Sequence, residues 1–111
     1  NENANLKGLP FEVVKDFRCG TNCMINNYNL IGEMLKWIED RDITGYTFLF
    51  SAATLTNYLI YQLYKNFDTN QYIDIGSSLG YHLGLKGCAY RGYLHMYWNQ
   101  RLLSNEVDIW N

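Results

Sequence analysis

Two short apolar runs, each closed by small residues and separated by one helical stretch, constrain this 111-residue chain more than any other feature. The later run, Tyr72-Ile-Asp-Ile-Gly-Ser-Ser-Leu-Gly80, sets isoleucines on either side of Asp74 and so reads as a short buried strand. Gly76 then permits a tight turn and close approach of the backbone to a ligand. The earlier run, Tyr46-Thr-Phe-Leu-Phe50, leads into Ser51-Ala-Ala-Thr54. Between them Leu55, Tyr58, Leu59, Gln62 and Leu63 recur at helical spacing, with Ile60 and Tyr64 adjoining. Strand, loop, helix, strand, loop over 46–76 is a βαβ unit, and its two loops open on one edge of a parallel sheet. Open α/β sheets bind their ligands at that edge.

The flanking sequence extends the pattern. Leu30, Ile31, Met34, Leu35 and Ile38, with Glu33, Lys36 and Glu39 opposite, predict a helix over 29–40 capped by Asn27 or Asn29. The helix over 54–66 takes Ser51 or Thr54 as its cap. Residues 9–15 enter through Pro10, carry Phe11, Val13 and Val14, and read as an edge strand. Residues 1–8 are polar and fray, 17–27 form a loop, and 79–88 form an irregular connection holding Gly80, Gly84 and Gly87. A last helix over 92–103 would carry Leu94, Tyr97, Trp98 and Leu102. The expected fold is an α/β sandwich with a short parallel sheet flanked by helices. It is either one domain over 1–111 or the C-terminal part of a larger one.

Composition excludes several classes. A 48% apolar content supports a core, which argues against disorder. The nine Lys and Arg are scattered without a basic run and the net charge is -2, so no nucleic-acid footprint is expected. No apolar window approaches the roughly 18 residues of a membrane span. The three cysteines lack the paired spacing of a stapled secreted scaffold, and no Asn-x-Ser/Thr acceptor occurs. Both features predict a reducing, cytoplasmic setting. Because the chain begins at Asn1 without a methionine, a trimmed or partial chain is expected.

The chemistry-bearing candidates gather around the two loops. Ser51, Ala52 and Thr54 stand at a helix N-terminus, where open backbone amides and the helix dipole favour a phosphate. Gly76, Ser77 and Ser78 shape the neighbouring wall of the same crevice. Asp74, inside an apolar strand, must be hydrogen-bonded; it either anchors the loop amides or meets ligand hydroxyls. Arg91 offers forked donors to a diphosphate, and His82 is the better placed of two candidate acid-base histidines, with His95 on a helix and structural. Asp40-Arg-Asp42 has the form of a metal-binding Asp-x-Asp pair, but it follows a helix and precedes a strand. It therefore faces the opposite edge and reads as a solvated helix end. Cys19, Cys23 and Cys88 read as partly buried thiols rather than zinc ligands. The ten tyrosines are packing residues first and a sugar-stacking surface second.

Phe48-Leu-Phe-Ser-Ala52, Leu59-Ile-Tyr-Gln-Leu-Tyr64, Tyr72-Ile-Asp-Ile-Gly-Ser-Ser78 and Tyr90-Arg-Gly-Tyr93 resemble, in order and spacing, the C-terminal half of glycosyltransferase-like proteins. These are the polysaccharide-synthesis group, similar to enzymes with the Rossmann-like GT-D fold. The resemblance covers about residues 46–94. It implies sugar transfer from a nucleotide sugar to a carbohydrate acceptor. It also implies that the metal-binding acidic motif lies upstream of Asn1, so a divalent metal would be held outside this chain and no cofactor within it. The resemblance thus implies either an incomplete catalytic unit, lacking an N-terminal half, or a degenerate one retained for binding; a homo-oligomer is the other expected assembly. Family members carry an acidic residue soon after the Gly-Ser-x-Leu sequence; this chain has Gly80 there. The same stretch, Asp74-Ile-Gly-Ser-Ser-Leu-Gly80, also resembles the glycine loop of class I methyltransferases, which wraps S-adenosylmethionine. A third reading is a non-catalytic α/β interaction module.

Overall fold

The computed structural model describes residues 3–80 and 82–85, which fall into two units. The first spans 13–76; the second comprises 3–12 together with the residues from 77 onward. The expected βαβ unit lies entirely within the first.

In the first unit the elements run α1 (Cys23–Asn26), α2 (Leu30–Arg41), β1 (Thr47–Phe50), α3 (Thr54–Asn66) and β2 (Gln71–Asp74). The strands pair in parallel, Thr47 opposite Gln71 and Phe50 opposite Asp74. This is a small α/β unit with a two-stranded parallel sheet, and both strand-to-loop junctions leave the same edge, as the sequence predicts. Leu55, Leu59 and Leu63 of α3 are essentially inaccessible, and burying each contributes about 1.5–3 kcal/mol. They pack with Leu30, Met34 and Ile38 of α2 and with Phe50 in one core. Trp37 meets Phe48 edge-on at 6.2 Å, and Phe48 lies 5.2 Å from Tyr72, so a row of rings covers one sheet face. On the other face Leu49 and Ile73, paired across the strands, are 40% and 45% exposed.

A buried asparagine fixes the amino edge of this sheet. Asn70 accepts from the Tyr46 amide at 2.9 Å and donates to the Ile43 carbonyl at 3.0 Å. The Tyr72 hydroxyl donates to the Phe67 carbonyl at 2.6 Å. These bonds start both strands in register. At the same edge Asp42 closes α2 in a left-handed conformation, so Asp40 and Asp42 do stand at a helix end away from the ligand loops.

Several expectations are corrected. Residues 9–15 form no strand: Phe11, Val13 and Val14 are all exposed, and no strand among the described residues pairs with them. The loop 17–27 contains the one-turn helix α1. Asn29 is the N-cap residue of α2, one of the two expected, but its side chain makes no capping bond; Asn27 instead accepts from the Gly20 amide at 3.2 Å. Neither Ser51 nor Thr54 caps α3, whose N-cap residue is Ala53. Strand β2 is not buried: Tyr72 is half-buried, while Gln71, Ile73 and Asp74 are exposed.

The second unit holds a 3-10 helix over Leu6–Gly8, whose N-cap Asn5 accepts from the Lys7 amide at 3.1 Å. The Asn5 amide donates to the Leu83 carbonyl at 2.9 Å. Gly8 lies so close to this segment that a β-carbon there would collide with the His82 carbonyl oxygen. Turns over 77–80 and 82–84 replace regular structure, in keeping with the irregular connection expected there. The helix expected over 92–103, with His95, lies outside the described residues, as does Cys88. Among the described residues no helix is long and apolar enough to cross a membrane.

Candidate functional site at the carboxyl edge

Strand β1 passes into α3 through three residues, and their geometry decides what the edge offers. Ala53 adopts φ 48° and ψ -132°, a region that L-residues rarely occupy and that costs roughly 1–3 kcal/mol. Surrounding bonds hold it there. The buried Thr56 hydroxyl accepts from the Ala52 amide at 2.9 Å. The Ala52 carbonyl accepts from the Cys23 thiol at 3.2 Å and from the Leu55 amide at 3.1 Å. The Thr56 amide donates to the Ala53 carbonyl at 3.1 Å. The result is a sharp strand-to-helix elbow, pinned from below by α1 and α3.

This arrangement revises the expected roles. Ala52 is buried and both its backbone groups are engaged, so it presents nothing to a ligand. The exposed members are Ser51, Ala53 and Thr54. The amides of Ala53 and Thr54 have no acceptor among the described residues, and they stand where the positive end of the α3 dipole lies.

On the neighbouring strand, the Ile75 amide donates to the Phe50 carbonyl at 2.9 Å, and the chain then turns at Gly76 with φ 53°. Asp74 Oδ1 accepts from the Gly76 amide at 2.9 Å. Asp74 is exposed, not buried as its apolar neighbours suggest: it shares the face of Tyr72 and Phe50 but ends β2, where its carboxylate turns to the Gly76 amide. One carboxylate oxygen anchors the turn, as one of the two expected roles requires; Oδ2 has no partner among the described residues. The register that pairs Phe50 with Asp74 thus brings Ser51, Ala53, Thr54, Asp74 and Gly76 to one end of the sheet. Asp74 is the sole formal charge among these five, and its sign opposes a bare anion.

Ser77, Ser78 and His82 belong to the second unit. There the Ser77 carbonyl accepts from the Gly80 amide at 3.0 Å in a turn, while Ser78 and His82 are exposed. Arg91 lies outside the described residues. Cys19 and Cys23 are both buried, without a disulfide. Among the described residues no group of three or more His, Cys, Asp or Glu is arranged to hold a metal ion.

The residues that the sequence reading gave no part in this edge are Ala53 and Thr56; Cys23, expected as a partly buried thiol, is one and also holds the Ala52 carbonyl. A polar residue on the apolar face beside Leu55 and Leu59 is a visible signal for Thr56. Ala53 gives none, since glycine is the residue that conformation favours. No protein-family model, curated protein or solved structure matches this chain.

Proposed function

We propose that this chain is a Rossmann-like part of a glycosyltransferase, and that the carboxyl edge of its parallel pair receives the phosphates of a nucleotide sugar. The observation that carries the reading is the elbow at Ala53: two adjacent amides without acceptors, at a helix N-terminus, beside a glycine turn on the neighbouring strand. Backbone amides at a helix start bind phosphate oxygens without a side-chain charge. The Ser51 and Thr54 hydroxyls add donors beside them. Asp74 keeps its turn in place through Oδ1, and Oδ2 accepts a sugar hydroxyl, a role that suits a carboxylate better than contact with the diphosphate. A base for the transfer and an ion to offset the diphosphate come from outside this edge.

Isothermal titration of the full chain tests the reading. UDP-glucose or GDP-mannose is expected to bind and S-adenosylmethionine is not. Heat with S-adenosylmethionine alone would favour the methyltransferase reading. Heat with none of the three would remove the nucleotide-sugar reading and favour an interaction module.

A further inference from the structure

A second recess of the first unit runs along α2, where the extended segment 15–18 lies beside the helix. It has a volume of about 410 Å³, within the roughly 300–1,000 Å³ of small-ligand sites. Its apolar lining is Phe17, Leu30 and Trp37, the two rings edge-to-face at 5.7 Å and both half-buried. All of its polar lining is charged, and part of that charge is already engaged. Arg18 pairs with Asp16 at 2.6 Å, and the Lys15 ammonium stands 5.3 Å over the Phe17 ring. The remainder comes from one face of α2. Glu33, Lys36, Asp40 and Arg41 all line the cleft, and none has an ion-pair or side-chain hydrogen-bond partner among the described residues.

Four cations (Lys15, Arg18, Lys36, Arg41) and three anions (Asp16, Glu33, Asp40) line the cleft, a net charge of only +1 that leaves charge little part in selecting a ligand. They do make an alternation of strong donors and strong acceptors beside an apolar ring surface. A ligand complementary to that lining carries vicinal groups that both donate and accept, on a scaffold with an apolar face, and no charge of its own. A pyranose ring is such a scaffold. Charge-assisted bonds to its hydroxyls are the stronger kind, and its C–H face packs on aromatic carbon. We propose that this cleft is a binding site for a neutral disaccharide. The inference uses none of the residues at the carboxyl edge and stands apart from the nucleotide-sugar reading.

The test is a titration of the ¹⁵N-labelled full chain with maltose, cellobiose and lactose, followed in ¹H–¹⁵N spectra. At least one is expected to shift the Trp37 indole and the amides over 36–41 saturably at millimolar concentration, with little change at about 0.5 M NaCl. Asp40→Asn and Arg41→Gln are each expected to weaken that binding by roughly tenfold. Both residues are exposed, so both variants should keep the wild-type circular dichroism. Absence of shifts at Trp37 with all three disaccharides would overturn the proposal. So would a response there to glycylglycine or inorganic phosphate that salt abolishes, since that pattern belongs to a charged ligand. Shifts with UDP-glucose confined to Ala53, Thr54 and Gly76 would leave the carboxyl-edge reading standing while this one fails.

Discussion

Thr56 is a small polar residue in the least accessible part of the core, and its hydroxyl has a single visible task, to accept the Ala52 amide. Thr56→Val keeps the shape and removes the acceptor, leaving a buried N–H unsatisfied. A loss of about 1–3 kcal/mol in urea unfolding is expected. Ala53→Gly is expected to act in the other direction. Glycine accepts the elbow conformation without strain, and strain relief outweighs the added freedom of the unfolded chain, giving a gain of about 1 kcal/mol. Tyr72 ties stability to alkaline pH. Burial raises its phenol above the ordinary tyrosine range, the hydrogen bond with Asn70 opposes that rise, and Asp68 adds to it. The folded state therefore keeps a proton that the unfolded chain has released. This contribution is whole below about pH 10 and is lost as the pH climbs through the raised value. Tyr72→Phe removes the bond to the Phe67 carbonyl and should cost about 0.5–1.5 kcal/mol at neutral pH. It should also show a shallower fall in urea midpoint than the wild type between about pH 8 and 11.

At the scale of elements, periodicity recovered what tertiary packing agreed with. The stripes Leu30, Met34, Ile38 and Leu55, Leu59, Leu63 became the buried faces of α2 and α3, close to the expected bounds. Both strands were found because Phe48, Phe50 and Tyr72 must be covered. The segment over 9–15 shows the limit of that reasoning. Valines and a proline entry resemble a strand, but a strand needs a pairing partner, and no local signal supplies one. Helix α1 escaped for the opposite reason. Four residues hold too few positions for a period, and it is fixed by long-range contact, the Cys23 thiol reaching the Ala52 carbonyl. Gly8 belongs to the same class of feature. Its closeness to the His82 backbone is invisible in a stretch reading Leu-Lys-Gly-Leu. Gly8→Ala should displace the 3-10 helix and speed hydrogen exchange at the Asn5 amide by at least tenfold, since a β-carbon meets backbone that cannot step aside.

At the scale of the molecule, the first unit presents a parallel pair covered by helices on one face, with an ordered strand-to-helix elbow at one end. The edge on which the loops meet was legible, because a βαβ order dictates parallel pairing. Which atoms face a ligand was not. Ala52 looks like a loop residue and is core; Asp74 looks buried and is exposed; the amides that remain open belong to Ala53 and Thr54. Backbone hydrogen bonding made those choices, and side-chain identity carries little trace of it. The direct measurement is therefore at the amides themselves, by titrating the ¹⁵N-labelled chain with UDP-glucose and GDP-mannose. Saturable downfield shifts of Ala53 and Thr54, with Gly76 following, are the expected result. Shifts that leave Ala53 and Thr54 unmoved at saturation would contradict a phosphate-receiving elbow.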